Sequence, residues 1–195
     1  MRKLKLQVQM TVDGFIAGPN GEMDFLIMNW DDGLINYVKE LTEPVDCIVL
    51  GRKLAEGFIP HWAAVAANPA DPEFEAGRKF TSTNKVVFTN TLDKSHPKDA
   101  GWNNTVLAKG DLADEINRLK RQDGKDIIAY GGSTFVSSLI KHNLIDEFYL
   151  FINPTAIGKG MAIFKELDTK DDLILVKSKS FDCGMVVLNY KLKHR

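Results

Sequence analysis

The stretch at residues 127–135 is Ile127-Ile128-Ala129-Tyr130-Gly131-Gly132-Ser133-Thr134-Phe135. Its apolar beginning predicts a buried strand, and the residues after the two glycines predict a helix with Phe135, Leu139 and Ile140 facing inward. Glycine lets the backbone turn sharply and approach a ligand closely, and the N–H groups of the following helical turn favour an anion. The stretch therefore predicts a strand-turn-helix unit, which either binds a phosphate or is a tight turn without a ligand.

Length and composition bound the fold and the classes of partner. The chain has 195 residues, 44% of them hydrophobic, and is predicted to form a single domain over residues 1–195. Its 25 basic and 26 acidic side chains nearly cancel, so no general attraction to nucleic acid or to a membrane is expected. The first residues, Met1–Leu6, run into an alternating pattern without a long apolar segment, and we expect a cytoplasmic protein.

The cysteines and histidines give no sign of a metal or redox site. Cys47 lies in an apolar run and Cys183 in a predicted turn, without the short paired spacing of a zinc or redox motif. We expect both thiols to be reduced. The histidines lack the one-face spacing of a helical metal site, so no catalytic metal is expected; they are His61, His96, His142 and His194.

The first part of the chain alternates strand and helix patterns. Apolar and polar residues alternate over Leu4–Met10, which predicts a strand with one buried face. Asp31 and Asp32 precede an apolar stripe that ends at Leu41, which predicts a helix with acidic residues in its first turn. Asp46–Leu50 is a nearly continuous apolar run, which predicts a strand buried on both faces.

The middle of the chain is less periodic. Leu54–Phe58 predicts a short helix, and Ile59–Thr83 predicts a surface excursion with one helical piece. Val86–Phe88 and Thr105–Ala108 predict two further strands, and Asp111 predicts the N-cap of a helix.

The last part of the chain completes the predicted fold. Leu144–Ile152 predicts a strand that stops at Asn153-Pro154. Two alternating runs, Leu173–Phe181 and Met185–Leu192, are joined by a turn, which is typical of a hairpin. The whole pattern predicts an α/β fold, a three-layer α/β/α domain with a mixed, mostly parallel sheet and a C-terminal antiparallel hairpin.

Five short motifs, in this order, resemble the dihydrofolate reductase superfamily. They are Val12–Gly18, Ile48–Lys53, Val87–Asn90, Tyr130–Ser133 and Leu144–Glu147. The resemblance spans nearly the whole chain and implies a dihydrofolate-reductase-like sheet. It also implies an NADPH-dependent reductase of a small-molecule substrate, with the cofactor across the carboxyl ends of the strands.

Two further segments narrow the resemblance to one branch. Asp13–Asp24 and Pro154–Gly160 look like the branch that contains the reductase domain of the bifunctional riboflavin-biosynthesis deaminase-reductase. The zinc signature of a deaminase is absent from the sequence, so the chain looks like a stand-alone relative of that domain. The resemblance also suggests a homodimer, formed through the C-terminal strands.

The resemblance implies a phosphate cradle at the opening stretch. Gly131 and Gly132, with the N–H groups of Ser133 and Thr134, would hold the cofactor pyrophosphate at a helix N-terminus, and Phe135 belongs to the same segment.

The adenosine end of the cofactor is implied at two other strand ends. Gly51, Arg52 and Lys53 follow a central strand where the family binds the 2′-phosphate. A guanidinium beside an ammonium suits that dianion, although both cations also suit a solvated surface. Thr89 and Asn90 end the next strand and would supply neutral donors, where other members carry a basic residue.

The nicotinamide end is implied near the first strand. Ile16 and Ala17 lie, by resemblance, against the nicotinamide, and backbone groups of Ala17 would hold its carboxamide. Simple core packing is compatible with Ile16 as well. Gly18–Met23 is expected to form a mobile loop over the active site.

The proton donor has several candidates. Reducing a C=N or C=O bond by hydride requires a proton at the heteroatom, from a carboxylic acid or an ordered water. Asp32 roughly matches the acid of the folate-reducing members, although its spacing to Gly51 is longer. Asp24, Asp31 and Glu147 compete with it. Asp31 and Asp32 also suit a helix cap, and Glu147 is either exposed at an edge or faces a pocket.

Three functions remain open from the sequence. The first is reduction of the ribosylamino-pyrimidine phosphate of riboflavin synthesis, which needs a second phosphate site, with Lys159 and Arg78 as candidates. The second is reduction of a pterin such as dihydrofolate. The third is binding of a pyridine nucleotide without turnover.

Overall fold

Strand β1 (Leu4–Thr11) lies inside the sheet of the computed structural model, which describes residues 1–193. It pairs in parallel with β6 (Asp126–Tyr130) on one side and with β7 (Glu147–Asn153) on the other. His194, one of the scattered histidines, lies outside the described residues.

The remaining strands of this sheet are β3 (Val45–Gly51), β4 (Asn84–Phe88), β5 (Thr105–Ala108), β9 (Leu173–Ser180) and β10 (Val186–Leu192). Their order is β5-β4-β3-β6-β1-β7-β10-β9. The pairs from β5 to β7 are all parallel, and β10 is antiparallel to both β7 and β9. The predicted mostly parallel sheet with a C-terminal hairpin is confirmed.

Helices cover both faces of the sheet. They are α1 (Asp32–Thr42), α2 (Arg52–Ala67), α3 (Phe74–Ser82), α4 (His96–Asp99), α5 (Leu112–Arg121) and α6 (Ser133–Lys141). On one face, residues of α5 and α6 such as Ile116 and Leu139 join the core formed by Leu6, Val8 and Ile127.

The opposite face carries two separate apolar clusters. Helix α2 packs over β3, β4 and β6, where Ile59 meets Ile48 and Ile128. Helix α1 packs over β7 and β10, where Tyr37 meets Phe151. The three-layer α/β/α architecture is therefore confirmed, and strand β1 runs between the two clusters on this face.

Strand β1 differs from the prediction because both of its faces are buried. Lys5 and Gln7, which the alternation placed on a solvent face, are only 6% and 8% exposed. The alternation arises because these polar side chains lie between the α1 and α2 clusters rather than in water.

The region after β3 is more helical than predicted. Helix α2 continues through Pro60 to Ala67 in place of a short helix, and α3 is the one helical piece predicted within Ile59–Thr83. Pro60 removes one helical hydrogen bond. Burial of Ile59 and Val65 holds the helix in place despite that loss.

Smaller differences concern local elements. A two-stranded antiparallel sheet of β2 (Phe15–Ala17) and β8 (Met161–Ala162) was not predicted. Strand β7 begins at Glu147, because Leu144 and Ile145 are buried in the connection before it. The predicted N-cap of α5 is confirmed, since Asp111 Oδ1 accepts the N–H groups at the start of that helix.

Candidate active site

Two strand-to-helix turns lie side by side at the carboxyl edge of the sheet. Strands β3 and β6 are parallel neighbours, and Val49 pairs with Ala129. Two residues beyond that pair, β3 ends at Gly51 and β6 is followed by Gly131. Each strand leads directly into a helix, α2 or α6, and the N-cap of each helix is a glycine without a side-chain cap. Both sets of first-turn N–H groups therefore face the same edge.

The backbone of the second turn requires glycine. Gly132 has a φ of 91°, in the region that other residues rarely adopt. At Gly131 an added Cβ would meet no atom within 4 Å. The turn thus leaves an open space in front of the α6 N-terminus, where backbone N–H groups could donate to an anion.

The two turns are held together by one aromatic side chain. An added Cβ on Gly51 would lie 2.9 Å from the Cβ of Phe135, so glycine lets α6 pack directly on the end of β3. The Phe135 ring also lies 5.3 Å from that of Phe88, at the end of β4. Phe135 therefore packs against the core beneath the two turns.

The basic pair at the start of α2 lies beside these turns. Arg52 is the first residue of the helix, and its Nη1 lies 2.7 Å from Glu56 Oε1 one turn later. Both side chains of this ion pair remain partly exposed. Lys53 is exposed. The guanidinium is thus positioned at the carboxyl edge with a carboxylate that an incoming anion would have to compete with.

The neutral residues after β4 and β6 have mixed roles. Thr89 is buried, and its Oγ1 accepts the N–H groups of Thr91 and Leu92, so it shapes its own turn. Asn90 is exposed beside it. Ser133 is buried and donates from Oγ to Ala162 O at 3.3 Å, whereas Thr134 is exposed at the helix start.

Ile16 and Ala17 are buried in the small β2–β8 sheet. Each has less than a tenth of its surface exposed. Gly160, just before β8, packs against the carbonyl oxygen of Ala17 so closely that no Cβ would fit. Together with the Ser133 bond to Ala162, this sheet borders the α6 N-terminus.

The loop after β1 is fastened at two points. Asp13 Oδ2 accepts the N–H groups of Ile157 and Gly158, and the Thr11 hydroxyl and these donors lower the pKa of Asp13. Within the expected mobile loop, Glu22 accepts bonds from the backbone and side chain of Asn20, which lowers the pKa of Glu22. The loop is therefore a closed turn attached to the β7–β8 connection.

Three candidate acids lie before α1 or at its first residue, and they are one helix cap and two exposed groups. Asp31 Oδ1 accepts Leu34 N–H at 2.8 Å, and its Oδ2 accepts Cys183 N–H at 2.9 Å in the hairpin turn. These hydrogen bonds lower the pKa of Asp31, and the bond from the Cys183 N–H has the largest effect. Asp24 and Asp32 are exposed on the same segment, which reaches the carboxyl end of β7 where Ile27 N–H meets Asn153.

Glu147 lies apart from the other candidates. It begins β7 and pairs in register with Lys5, at the level of Ile128 and below the glycine turn. Its carboxylate binds the Lys3 ammonium at 2.6 Å and accepts the Tyr149 hydroxyl. The parallel register places it toward the amino edge, so Glu147 is not part of the candidate site.

The candidate second phosphate ligands are also separated. Lys159 is exposed in the connection between β7 and β8. Arg78 instead lines a cavity with Asn103 and Asn104, at the amino end of β5. The structure therefore brings only Lys159 to the carboxyl edge.

The amino-acid sequence also matches a known protein family. The model of the RibD C-terminal domain matches residues 2–187. The chain belongs to the RibD C-terminal domain family. It is 31% identical over 191 residues to the uncharacterized protein YyaP of Bacillus subtilis, covering 97% of this chain and 94% of that protein.

Solved structures share the fold of this chain. A putative riboflavin biosynthesis protein from Shewanella sp. PV-4 superposes over 100% of both chains, with a TM-score of 0.69 and 23% identity. The Thermotoga maritima diaminohydroxyphosphoribosylaminopyrimidine deaminase/5-amino-6-(5-phosphoribosylamino)uracil reductase matches 98% of this chain and 56% of its own, with a TM-score of 0.67 and 18% identity. At these identities the likeness shows a shared fold.

A group of buried polar side chains in this RibD C-terminal domain was not predicted from the sequence. These side chains lie on the sheet face between α1 and α2, which we call the floor. Gln7 on β1 is in register with Tyr130 on β6, and Asn153 at the end of β7 is fully buried. Gln7 Oε1 and the Tyr130 hydroxyl are buried without a hydrogen-bond partner among the described residues. The alternation of β1 contained this signal, but it was assigned to a solvent face.

Two further features concern the described part of the chain, residues 1–193. Within that range, no group of three or more His, Cys, Asp or Glu side chains is arranged to hold a metal ion. No helix in the same range is long and apolar enough to cross a membrane. Cys47 is a buried free thiol, and Cys183 is a partly exposed one.

The roles of Asp31 and Asp32 can be distinguished experimentally. Asp31→Ala is expected to lower the melting temperature, because it removes the α1 cap and the link to the hairpin turn, whereas Asp32→Ala should change it little. Circular dichroism melts of both variants test this. Equal melting temperatures for the wild type and Asp31→Ala would contradict the assignment.

The stabilisation by Asp31 should also depend on pH. Its pKa in the folded state lies below the ordinary value of 3.8, so its contribution is complete above that value and is lost as the pH falls through the folded pKa. The difference in melting temperature between the wild type and Asp31→Ala should therefore shrink in strong acid.

Proposed function

We propose that this protein is an NADPH-dependent reductase that transfers a hydride to a small heterocyclic or sugar-linked substrate. It would resemble 5-amino-6-(5-phosphoribosylamino)uracil reductase, an activity that the name of the Thermotoga maritima relative includes. The observation that carries the proposal is the pair of adjacent, glycine-capped helix N-termini after β3 and β6.

The cofactor phosphates would lie against these turns. Gly131 and Gly132 leave the space, and the N–H groups of Ser133 and Thr134 would donate to the pyrophosphate. Oriented backbone donors hold a phosphate without any net charge on the protein, in keeping with the balanced composition of the chain.

The 2′-phosphate of NADPH would be bound at the start of α2. Arg52 and Lys53 follow Gly51, one parallel strand away from the pyrophosphate turn. Thr89 and Asn90, at the end of the next strand, would add neutral donors, although the Thr89 hydroxyl already serves its own turn. Arg52 must release Glu56 or share it to reach the phosphate.

The nicotinamide would lie near Ile16 and Ala17, which the β2–β8 sheet holds beside the α6 N-terminus. The cofactor supplies the hydride when bound. The buried side chain of Ile16 and the covering loop would keep water from the reacting atoms. Asp24 and Asp32 are the candidates for binding substrate or supplying the proton, directly or through water.

We also propose a homodimer formed through β9. This strand is at the edge of the sheet, and its side chains Ile174, Leu175 and Val176 are 40%, 50% and 55% exposed. An exposed apolar edge strand readily pairs with another chain. The second copy would cover this strand.

Cofactor binding is the direct test of the function. Isothermal titration with NADPH is expected to show binding, and Gly131→Ala should weaken it by about tenfold because a methyl group enters the phosphate space. The melting temperature of Gly131→Ala without cofactor should stay near that of the wild type, since its Cβ meets no atom. Absence of NADPH binding to the wild type at millimolar concentration would refute the proposal.

The role of Arg52 can be tested by cofactor preference. Arg52→Ala is expected to weaken NADPH binding by about tenfold or more and NADH binding far less, because only NADPH carries the 2′-phosphate. Glu56→Ala is the matched control, since it frees the guanidinium without removing it. Equal losses of both cofactors in Arg52→Ala would remove Arg52 from the 2′-phosphate site.

The oligomeric state follows from light scattering. The wild type is expected to have twice the mass of one chain, and Val176→Lys should shift it toward the monomer because it places a charge in the proposed interface. A monomer mass for the wild type at micromolar concentration would rule out the dimer.

A further inference from the structure

The floor between α1 and α2 contains a row of polar side chains in the middle of the sheet. Gln7 is in register with Tyr130 of β6 on one side and with Tyr149 of β7 on the other. Residues in register on neighbouring strands project from the same face. The face is the one that carries the α2 cluster beside β6 and the α1 cluster beside β7.

Two polar atoms on this floor lack a partner. Gln7 Oε1 and the Tyr130 hydroxyl are buried and make no hydrogen bond within residues 1–193. The Tyr130 ring is fixed by stacking on Phe58 at 5.4 Å and by edge contact with Phe80 at 5.7 Å. Burial also raises the pKa of Tyr130, so this group is a neutral phenol. A buried group without a partner is costly, and a bound molecule with complementary groups would remove that cost.

The position of the floor relates these atoms to the proposed nicotinamide site. Tyr130 immediately precedes the Gly131-Gly132 turn, and Gln7 lies on the strand whose loop carries Ile16 and Ala17. Asn153 Oδ1 fixes the segment before α1 through Ile27 N–H, at the end of β7. The floor is thus next to the cofactor turn and is bordered by the segment that carries Asp24 and Asp32.

The charges around this floor disfavour a second phosphate. The segment Val12–Asp32 contains five acidic side chains and no Lys or Arg, and the exposed Lys159 of the β7–β8 connection, next to Gly158, which donates to Asp13, offsets only one of these charges. The Lys5 ammonium, on the same strand as Gln7, is 3.0 Å from Asp126 and is therefore already paired. A phosphate ester beside this segment would face like charges.

We infer that the substrate is an uncharged heterocycle with an amide-like edge and no phosphate ester, recognised by Gln7 Oε1 and the Tyr130 hydroxyl. This inference rests on the proposed reductase function. A ring N–H would donate to Gln7 Oε1, and a ring carbonyl would accept from the Tyr130 hydroxyl. The absence of a phosphate sets this substrate apart from the one in the name of the Thermotoga maritima relative.

The inference is tested with two probes that differ only in a phosphate. They are 5-amino-6-(5-phosphoribosylamino)uracil and the same compound without its phosphate. Calorimetry with the NADP⁺-saturated protein measures binding, and the loss of absorbance of the reduced nicotinamide as NADPH is oxidised measures turnover. The unphosphorylated probe is expected to bind at least about tenfold more tightly, because the phosphate meets like charges.

Three variants identify the residues responsible. Gln7→Leu and Tyr130→Phe each remove an unpartnered buried polar atom, so the melting temperature without probe should not fall, while binding of the unphosphorylated probe should weaken by about tenfold. Ser137→Ala is the matched control. Its hydroxyl is also buried without a partner, but it lies in α6 on the other side of the sheet, so probe binding should be unchanged.

The possible outcomes are distinct. Failure of NADP⁺ to bind would overturn the proposed function itself. Normal NADP⁺ binding with equal or tighter binding of the phosphorylated probe, or with no binding of either probe at millimolar concentration, would overturn only the inference about the substrate. Unchanged affinity in both Gln7→Leu and Tyr130→Phe would also overturn it.

Discussion

The parallel pairing of β3 with β6 is the constraint on which the site depends. It ends both strands at the same edge and starts two helices there, each with a glycine at its N-cap. The packing of Phe135 on Gly51 keeps the helix starts close together, because any side chain at Gly51 would separate them. Two sets of unpaired N–H groups then act on the same small volume, and this concentrates positive potential without a net charge on the chain.

Charge is distributed unevenly along this edge. Arg52 and Lys53 lie at the β3 side, whereas the segment from Val12 to Asp32, at the β1 and β7 side, is acidic. In the proposed site, this charge distribution would orient NADPH with its 2′-phosphate toward β3 and its nicotinamide toward β1. The buried polar floor formed by Gln7 and Tyr130 begins where the basic side ends, so the proposed cofactor site and the proposed substrate site would be separate.

Local patterns in the sequence predicted the helices, strands and turns better than they predicted which of these elements lie next to each other in the fold. The glycine turn, the Asp111 cap and the terminal hairpin depend on a few adjacent residues, so the sequence was sufficient for them. The continuation of helix α2 beyond Phe58 was not predicted because Pro60 and several alanines obscure its periodicity, while burial of Ile59 and Val65 holds it on the rest of the fold. The position of Glu147 depends on the strand register, and the burial of Gln7 depends on the helical layer formed by α1 and α2. Neither can be read from alternation alone, since polar residues buried beneath a helical layer repeat with the same period as residues in water.

The most direct measurement is a crystal structure of the protein with NADP⁺. The proposed site predicts density for the pyrophosphate against the N–H groups of Ser133 and Thr134, with the 2′-phosphate beside Arg52 and the nicotinamide toward Ile16 and Ala17. Density for the cofactor at another edge of the sheet, or a pyrophosphate that does not contact the Gly131-Gly132 turn, would contradict it.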